Sequence, residues 1–260
     1  MEQKTLLTFQ KKPFISGAGW FFETISFMFG VSYKLLILST IFVLVSMGMS
    51  FIPIVGEVLA NLLWALFTGV MLVSISRIDK DSPFSIKLGK YFFSKNVLSF
   101  LGLAISLFLS TSFISVLAAF ALPIVAGEVV VKWLVIISLL TMDLVVLMIT
   151  FFSPALIAFT DAGFVKAIKT SLLASLKNIF PLFFLFVIVI TLAVIIIMLW
   201  SSMFPDLFQT LKTSGDLGLD TLTNSPMFFL SIFGFGVMLA AFSSSLSYIV
   251  FKDVFKGRVQ

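Results

Sequence analysis

The sequence predicts an all-α membrane protein with six transmembrane helices. Apolar residues make up 60% of the 260-residue chain and charged residues only 11%, whereas soluble domains carry about 25% charged residues. The apolar residues are gathered into stretches of about 20 residues, the length that a helix rising about 1.5 Å per residue needs to cross a hydrocarbon core of roughly 30 Å. The basic residues lie almost entirely in alternate connections between these stretches.

The distribution of Lys and Arg predicts how the six stretches are oriented. Of the 17 basic residues, 15 lie near the two termini or in the connections after the second and fourth stretches. Lys132 and Lys212 lie on the other side. Because basic residues are retained in the cytoplasm during insertion, we expect both termini there and a single membrane domain over residues 1–260. The stretches are residues 32–52, 57–76, 97–121, 132–153, 179–203 and 227–251.

Residues 14–31 are apolar as well, but the pattern does not favour a seventh span. This segment runs into the first predicted span with no residues left for a turn, and a further crossing would move Lys4, Lys11 and Lys12 to the outside. Trp20 and the neighbouring Phe residues are typical of a helix that lies along the membrane surface. We therefore expect an interfacial helix before the first span.

Similar segments precede the third and fifth spans, at residues 84–96 and 161–178. In the second segment, Asp161 is the expected N-cap and an apolar series with a period of four residues predicts an amphipathic helix. That series is Phe164, Ile168, Leu172 and Leu176. The chain is thus predicted to contain three units of one orientation, each an interfacial helix followed by a hairpin, with any symmetry axis along the membrane normal. The units are residues 14–77, 84–153 and 161–251.

The composition excludes several kinds of chemistry. The chain contains neither Cys nor His, so it lacks thiolate nucleophiles, Cys ligands for metals and the commonest general base. No nucleotide-binding loop or serine-hydrolase motif occurs. We therefore predict no catalytic residue, no metal site and no cofactor. The net charge of +5 arises beside the spans, which favours anionic lipid headgroups on the cytoplasmic side, rather than nucleic acid, as partners.

Asp143 is the strongest candidate for a substrate or ion site, because it lies near the middle of the fourth predicted span. A charge at that depth costs about 2.5–3.5 kcal/mol on insertion scales, so we expect it to face the bundle or a wet cavity. There it would couple a proton or cation, or contact a headgroup. The alternative is a hydrogen-bonded residue that joins helices, and the sequence is compatible with both.

Other charged residues form weaker candidate sites. Glu57 and Glu128 follow similar outer turns and are substrate or ion candidates, although acidic residues are favoured at helix starts by the helix dipole in any case. The loop 204–226 contains three Asp residues and is a candidate docking site for a protein partner. Basic residues of the predicted interfacial helices are candidates for holding lipid headgroups. They are Lys87, Lys90, Lys95, Lys166, Lys169 and Lys177.

Short motifs relate the chain to a bacterial family. They are Gly19-Trp20, the outer turn Ile52-Pro53-Ile54-Val55-Gly56, and a series from Ser153-Pro154-Ala155-Leu156 through Ala167 and Ser171 to Lys177-Asn178. In these motifs the chain resembles the YciC-like inner-membrane proteins and, more distantly, the membrane domain attached to some glycerophosphodiester phosphodiesterases. The resemblance implies six helices in a bacterial inner membrane, and it supplies no catalytic residues.

From these features we expect a protein that handles a lipid or a small solute within the membrane. The alternative is a non-transporting scaffold or accessory subunit, which would dock a partner through the 204–226 loop or through a helix face. An enzyme is the least favoured class, because acid–base groups are sparse and scattered along the chain.

Overall fold

The computed structural model consists of helices, with no strand in the residues that it describes. These are residues 9–31, 33–50, 52, 56–80, 96–124, 129–160, 162–205 and 226–255. The helices, numbered in chain order, are α1 (Ser16–Val31), α2 (Tyr33–Ser50), α3 (Gly56–Asp79), α4 (Val97–Ile124), α5 (Val129–Phe159), α6 (Phe164–Lys177), α7 (Ile179–Met203) and α8 (Pro226–Val254).

Each predicted span overlaps one of these helices, and each predicted boundary lies within three residues of a helix end, except that α5 continues six residues beyond the predicted end at residue 153. Among the described residues, four helices are long and apolar enough to cross a membrane by themselves, namely α4, α5, α7 and α8. The prediction of an all-α membrane protein is therefore confirmed. The axes of α1 and α2 are inclined to each other by 99°, so residues 14–31 contain a helix separate from the first predicted span.

The buried core lies at one end of the bundle, where the predicted cytoplasmic segments meet. At this end α3, α5 and α8 pack against one another, α4 packs against α3 and α5, and α1 packs against both α7 and α8. We call this region the basic end. Its buried side chains include one from each of α3, α4, α5, α7 and α8. They are Ile75, Phe100, Leu156, Leu182 and Phe251.

The opposite halves of three long helices have no buried residues. None of residues 105–121 of α4, 131–147 of α5 or 186–203 of α7 is buried. The side chains there are mostly apolar. A bilayer would surround such surfaces with hydrocarbon. The bundle therefore has a packed half, at the basic end, and an open half, where these surfaces are exposed.

The short helix α6 packs tightly against the last turns of α5. Pro154 lies inside α5, where it cannot donate the helical hydrogen bond to the carbonyl four residues earlier. Next to it, the hydroxyl of Ser171 accepts a hydrogen bond from the amide of Phe152 (3.1 Å) and donates one to the carbonyl of Met148 (2.8 Å). Ser175 donates to the same carbonyl (3.1 Å). Two hydroxyl groups therefore anchor α6 to the backbone of α5.

One expectation about α6 is wrong. The N-cap is Gly163, and no side chain caps the helix, so Asp161 does not have that position. The face that is buried against α5 differs from the apolar series that begins at Phe164. It consists of the small residues Ala167, Ser171, Ala174 and Ser175, because only small side chains allow α6 to approach the backbone of α5 closely.

Candidate functional site

A cavity of about 340 Å³ lies between α7 and α8, with α1 and α2 as its other walls. We call it the α7–α8 groove. Every lining side chain is apolar; they include Met28 of α1, Leu36 of α2, Ala193 and Ile196 of α7, and Met238 of α8. An apolar cavity of this kind does not retain water well. Hydrocarbon is therefore the chemistry that fits it best.

Aromatic contacts close the outer end of this groove. The ring of Trp200 on α7 lies 5.0 Å from the ring of Phe235 and 6.5 Å from that of Phe228, both on α8. Phe204 adds a third contact, 5.1 Å from Phe228. Such edge-to-face pairs stabilise a helix contact beyond the area that they bury. They join α7 to α8 at a point well away from the basic end.

At the basic end the groove is closed by α1, which crosses α7 at very short distance. A methyl group placed on Gly17 would lie 2.3 Å from the carbonyl oxygen of Pro181 and 2.9 Å from the amide of Leu185. Only glycine allows the two backbones to approach this closely. The helix α7 is thus held at both ends and separated from α8 between them, which is why a groove exists there.

A second cavity, of about 470 Å³, lies on the other side of α7. We call it the α5–α7 groove. Its walls include Leu144 and Leu147 of α5 and Phe183 and Phe186 of α7, and Ser175 is the polar residue among its lining side chains. The Ser175 hydroxyl is already bonded to the backbone of α5. Both sides of α7 therefore face apolar space along much of its length.

The N-terminal residues cross the basic end and bind to its helices. The amide of Gln10 donates to the carbonyl of Val254 (2.9 Å). Asn178, between α6 and α7, accepts from the amide of Lys12 (2.8 Å) and donates to the carbonyl of Gln10 (3.1 Å). The ammonium group of Lys12 forms an ion pair with Asp253, which also accepts from the Trp20 indole (3.0 Å). We call residues 9–13 the N-terminal strap.

Sequence reasoning identified the pair Lys177-Asn178 as a motif but not its role in holding the strap. Lys177 donates to the carbonyl of Phe9 (3.2 Å), and its ammonium group lies 5.1 Å from the centre of the Phe9 ring. The fully buried Asn178 side chain supplies both a donor and an acceptor to the strap. The available signal was an Asn after a Lys at a span entry, which by itself indicates no partner.

A second polar cluster joins α3, α8 and α1 at the same end. Asp79 accepts hydrogen bonds from Lys252 (2.7 Å) and Tyr248 (2.8 Å). Partial burial works to raise the pKa of Asp79, but the bonds from Lys252 and Tyr248 outweigh it and hold the pKa below its ordinary value. Desolvation raises the pKa of Glu23, with Lys252 opposing and Asp253 and Asp79 adding to the rise. The bonds of Lys252 and Tyr248 to Asp79 thus join α8 to α3 at the basic end.

The structure places Asp143 on the outer surface of α5. Its side chain is exposed, and so are those of Met142 (41%) and Leu144 (43%) beside it. The expectation that Asp143 faces the interior of the bundle is therefore wrong for the single chain. α5 is apolar on all its faces in this region, so hydrophobic periodicity carried no signal about which face packs.

The remaining predicted site residues are only partly within the described structure. Glu57 belongs to α3, but its side chain lies outside the described residues, as do Glu128, Lys87, Lys90, Lys95 and nearly all of the loop 204–226. Lys166 and Lys169 are exposed on α6, on the side away from α5. Lys177 holds the strap instead of standing free. The candidates that the structure describes, Asp143, Lys166, Lys169 and Lys177, are thus not brought together into one site.

The helix α6 presents three different faces. Its small residues bury against α5, and exposed Val165 (52%) and Leu176 (50%) form an apolar ridge roughly 140° around the helix from them, at about 100° per residue. Lys166 and Lys169 lie beyond that ridge. A helix with a protein face, an apolar ridge and a basic face fits the boundary between hydrocarbon and headgroups.

Comparisons with known proteins assign no family. No family model, no curated protein and no solved structure matches the chain. Among the described residues, no group of three or more acidic side chains is placed to hold a metal ion. The α7–α8 groove therefore has to be interpreted from its own chemistry.

Proposed function

We propose that the protein binds a membrane lipid and holds a hydrocarbon chain of that lipid in the α7–α8 groove. The observation that carries this proposal is the groove itself, a cavity of about 340 Å³ with apolar walls from four helices. Burying a chain there removes no polar group from water and leaves no hydrogen bond unmade. A small polar solute would gain nothing from such walls, so lipid is favoured over solute.

The charges near the groove favour an anionic headgroup. Lys34 is exposed two residues before Leu36, which lines the groove, and Phe29, which also lines it, is 82% exposed. A headgroup at the membrane surface would lie within reach of Lys34 while the chain follows α7 into the membrane. Basic residues next to a membrane attract anionic lipids by about 1 kcal/mol each.

We further propose six spans, with both termini in the cytoplasm of a bacterial inner membrane. The helices α2 and α3 would complete the six, and the gathering of basic segments at one end of the bundle supports a common side for both termini. The resemblance to the YciC-like proteins supports the bacterial location. The three-face character of α6 supports its place at the inner surface, as the three-unit organisation requires.

Mass spectrometry of lipids retained after mild extraction tests this function. Ala193→Trp fills the groove, whereas Val194→Trp, at a 49% exposed position outside it, is the matched control. We expect the native protein and the control to retain the same lipid at a defined ratio, and Ala193→Trp to lose it. Retention of only bulk lipid by the native protein, or equal retention by both variants, would contradict the proposal.

Headgroup selection is tested separately with Lys34→Gln. This change leaves the groove walls intact, so we expect the retained lipid to shift from anionic to zwitterionic while its total amount persists. Lys132→Gln on the other side of the membrane is the control and should leave the composition unchanged. An identical effect of both substitutions would show that Lys34 has no particular role.

A scaffold remains the second candidate, and one observation favours it. The carboxyl group of Asp143 is exposed at mid-depth of α5, where a single chain gives it no protein environment. A charge in that position is usually covered by another helix.

A further inference from the structure

The outer half of α5 carries an exposed stripe with the spacing of a helix-pairing seam. Its members follow one another at intervals of three and four residues, as in the a and d positions of a left-handed coiled coil. Ile136 is half-buried and Asp143 exposed; Trp133 is 59%, Leu140 61% and Leu147 39% exposed. We call this set the α5 seam. It contains one polar residue, near its middle.

The chain itself offers no basic partner for Asp143 among its described residues. The basic residues there lie in the N-terminal strap, in α6 or near the ends of other helices, most of them at the basic end. The nearest along α5 is Lys132, about 16 Å away along the axis at about 1.5 Å per residue. A second copy inserted in the same orientation presents one ionisable group at the depth of Asp143, and that group is its own Asp143.

We propose that two copies of the chain pair through the α5 seam. The two Asp143 side chains meet across the pair, and the O–H of a protonated carboxyl donates a hydrogen bond to the other carboxyl. Ionisable residues inside membranes pair with one another in this way, and interhelical hydrogen bonds stabilise helix association in lipid. A single polar residue in an otherwise apolar seam also specifies the register of the two helices.

The α5–α7 groove gives this pairing a second support. Leu147 belongs to the seam and also lines the groove, and Leu144 lines it next to Asp143. A helix lying along the seam therefore borders the opening of a cavity of about 470 Å³. Pairing covers apolar surface that no described part of the same chain covers. The pairing is independent of lipid binding in the α7–α8 groove.

Disulfide cross-linking in native membranes tests the pairing, and the chain suits it because it contains no Cys. Leu140→Cys places a thiol in the seam. Val145→Cys, also exposed (42%), places one on the opposite face of α5, about 7.5 Å further along the axis, and is the control. Under mild oxidation we expect a covalent dimer from Leu140→Cys and essentially none from Val145→Cys. Both thiols should react with a maleimide before oxidation, which shows that both variants are inserted.

The role of Asp143 is tested in the Leu140→Cys background. Asp143→Leu removes the hydrogen bond and should abolish most of the cross-linked dimer, whereas Asp143→Asn keeps a donor and an acceptor and should preserve it. No dimer from Leu140→Cys would overturn the pairing and would point to lipid or a different protein against the seam. Equal dimer from both cysteine positions, or dimer that is insensitive to Asp143→Leu, would overturn it as well.

Discussion

The hydroxyl of Ser171 on α6 lies 2.8 Å from the carbonyl oxygen of Met148, inside the backbone of α5. The same hydroxyl accepts the amide of Phe152, which in a regular α-helix would itself donate to Met148. A side chain from another helix thus completes a hydrogen-bond ladder that Pro154 interrupts nearby. This arrangement fixes the angle at which the last turns of α5 meet the basic end.

Ser171→Ala should therefore destabilise the protein. It leaves the buried amide of Phe152 without its partner, a loss of about 1–3 kcal/mol for an unsatisfied buried group. Ser138→Ala is the control, because Ser138 is exposed and bonds only to the carbonyl of Leu134 in its own helix. The midpoint of thermal unfolding in detergent is measured for both variants and for the native protein. A control that lowers the unfolding midpoint as much as Ser171→Ala would refute the role of the inserted hydroxyl.

Gly17→Ala should separate α1 from α7. The added methyl group would lie 2.3 Å from the Pro181 carbonyl, so the helices must move apart at a cost of about 1–3 kcal/mol. Gly19→Ala is a close control, since nothing lies within 4 Å of a methyl group at that position. We expect a lower unfolding midpoint for Gly17→Ala only. Unchanged stability in both variants would show that the crossing is looser than described.

Asn178→Ala should release the N-terminal strap. The substitution removes the bonds to Gln10 and to the amide of Lys12, which leaves Lys11 and Lys12 more accessible to trypsin. Asn96→Ala, at the similar Lys95-Asn96 pair, is the control. In inside-out vesicles we expect faster cleavage after Lys11 in Asn178→Ala alone, since trypsin does not cleave the bond between Lys12 and Pro13. Cleavage at the native rate would mean that the ion pair of Lys12 with Asp253 is sufficient to hold the strap.

Acid should weaken the contact between α3 and α8. Because the pKa of Asp79 is lowered in the folded protein, its bonds stabilise the fold above the ordinary pKa of 3.8 and are lost as the pH falls below that value. Lys252 is 51% exposed, so the ion pair contributes no more than about 1 kcal/mol. The difference in unfolding midpoint between the native protein and Asp79→Asn should shrink as the pH falls toward 3. If the difference stayed constant with pH, the ionised Asp79 carboxylate would not be the origin of that stability.

Helix limits were largely predictable from the sequence, whereas helix faces were not. The span 179–203 matches α7 residue for residue, because an apolar stretch and its polar flanks define where a membrane helix begins and ends. The orientation of Asp143 was predicted wrongly, since α5 is apolar on every side. The grooves beside α7 depend on Gly17 and on three aromatic contacts distant in sequence, and no local pattern indicates such contacts.

The division of the bundle into a packed half and an open half has a consequence for how the protein senses its surroundings. Cohesion at the basic end comes from the polypeptide, so it should change little between membranes. In the open half, α7 is separated from α8 and from α5 by the two grooves, so acyl chains in those grooves would influence the spacing of these helices. The thickness and acyl-chain order of the leaflet around the open half would then affect how the helices are arranged there. The leaflet around the basic end would have little effect on the structure.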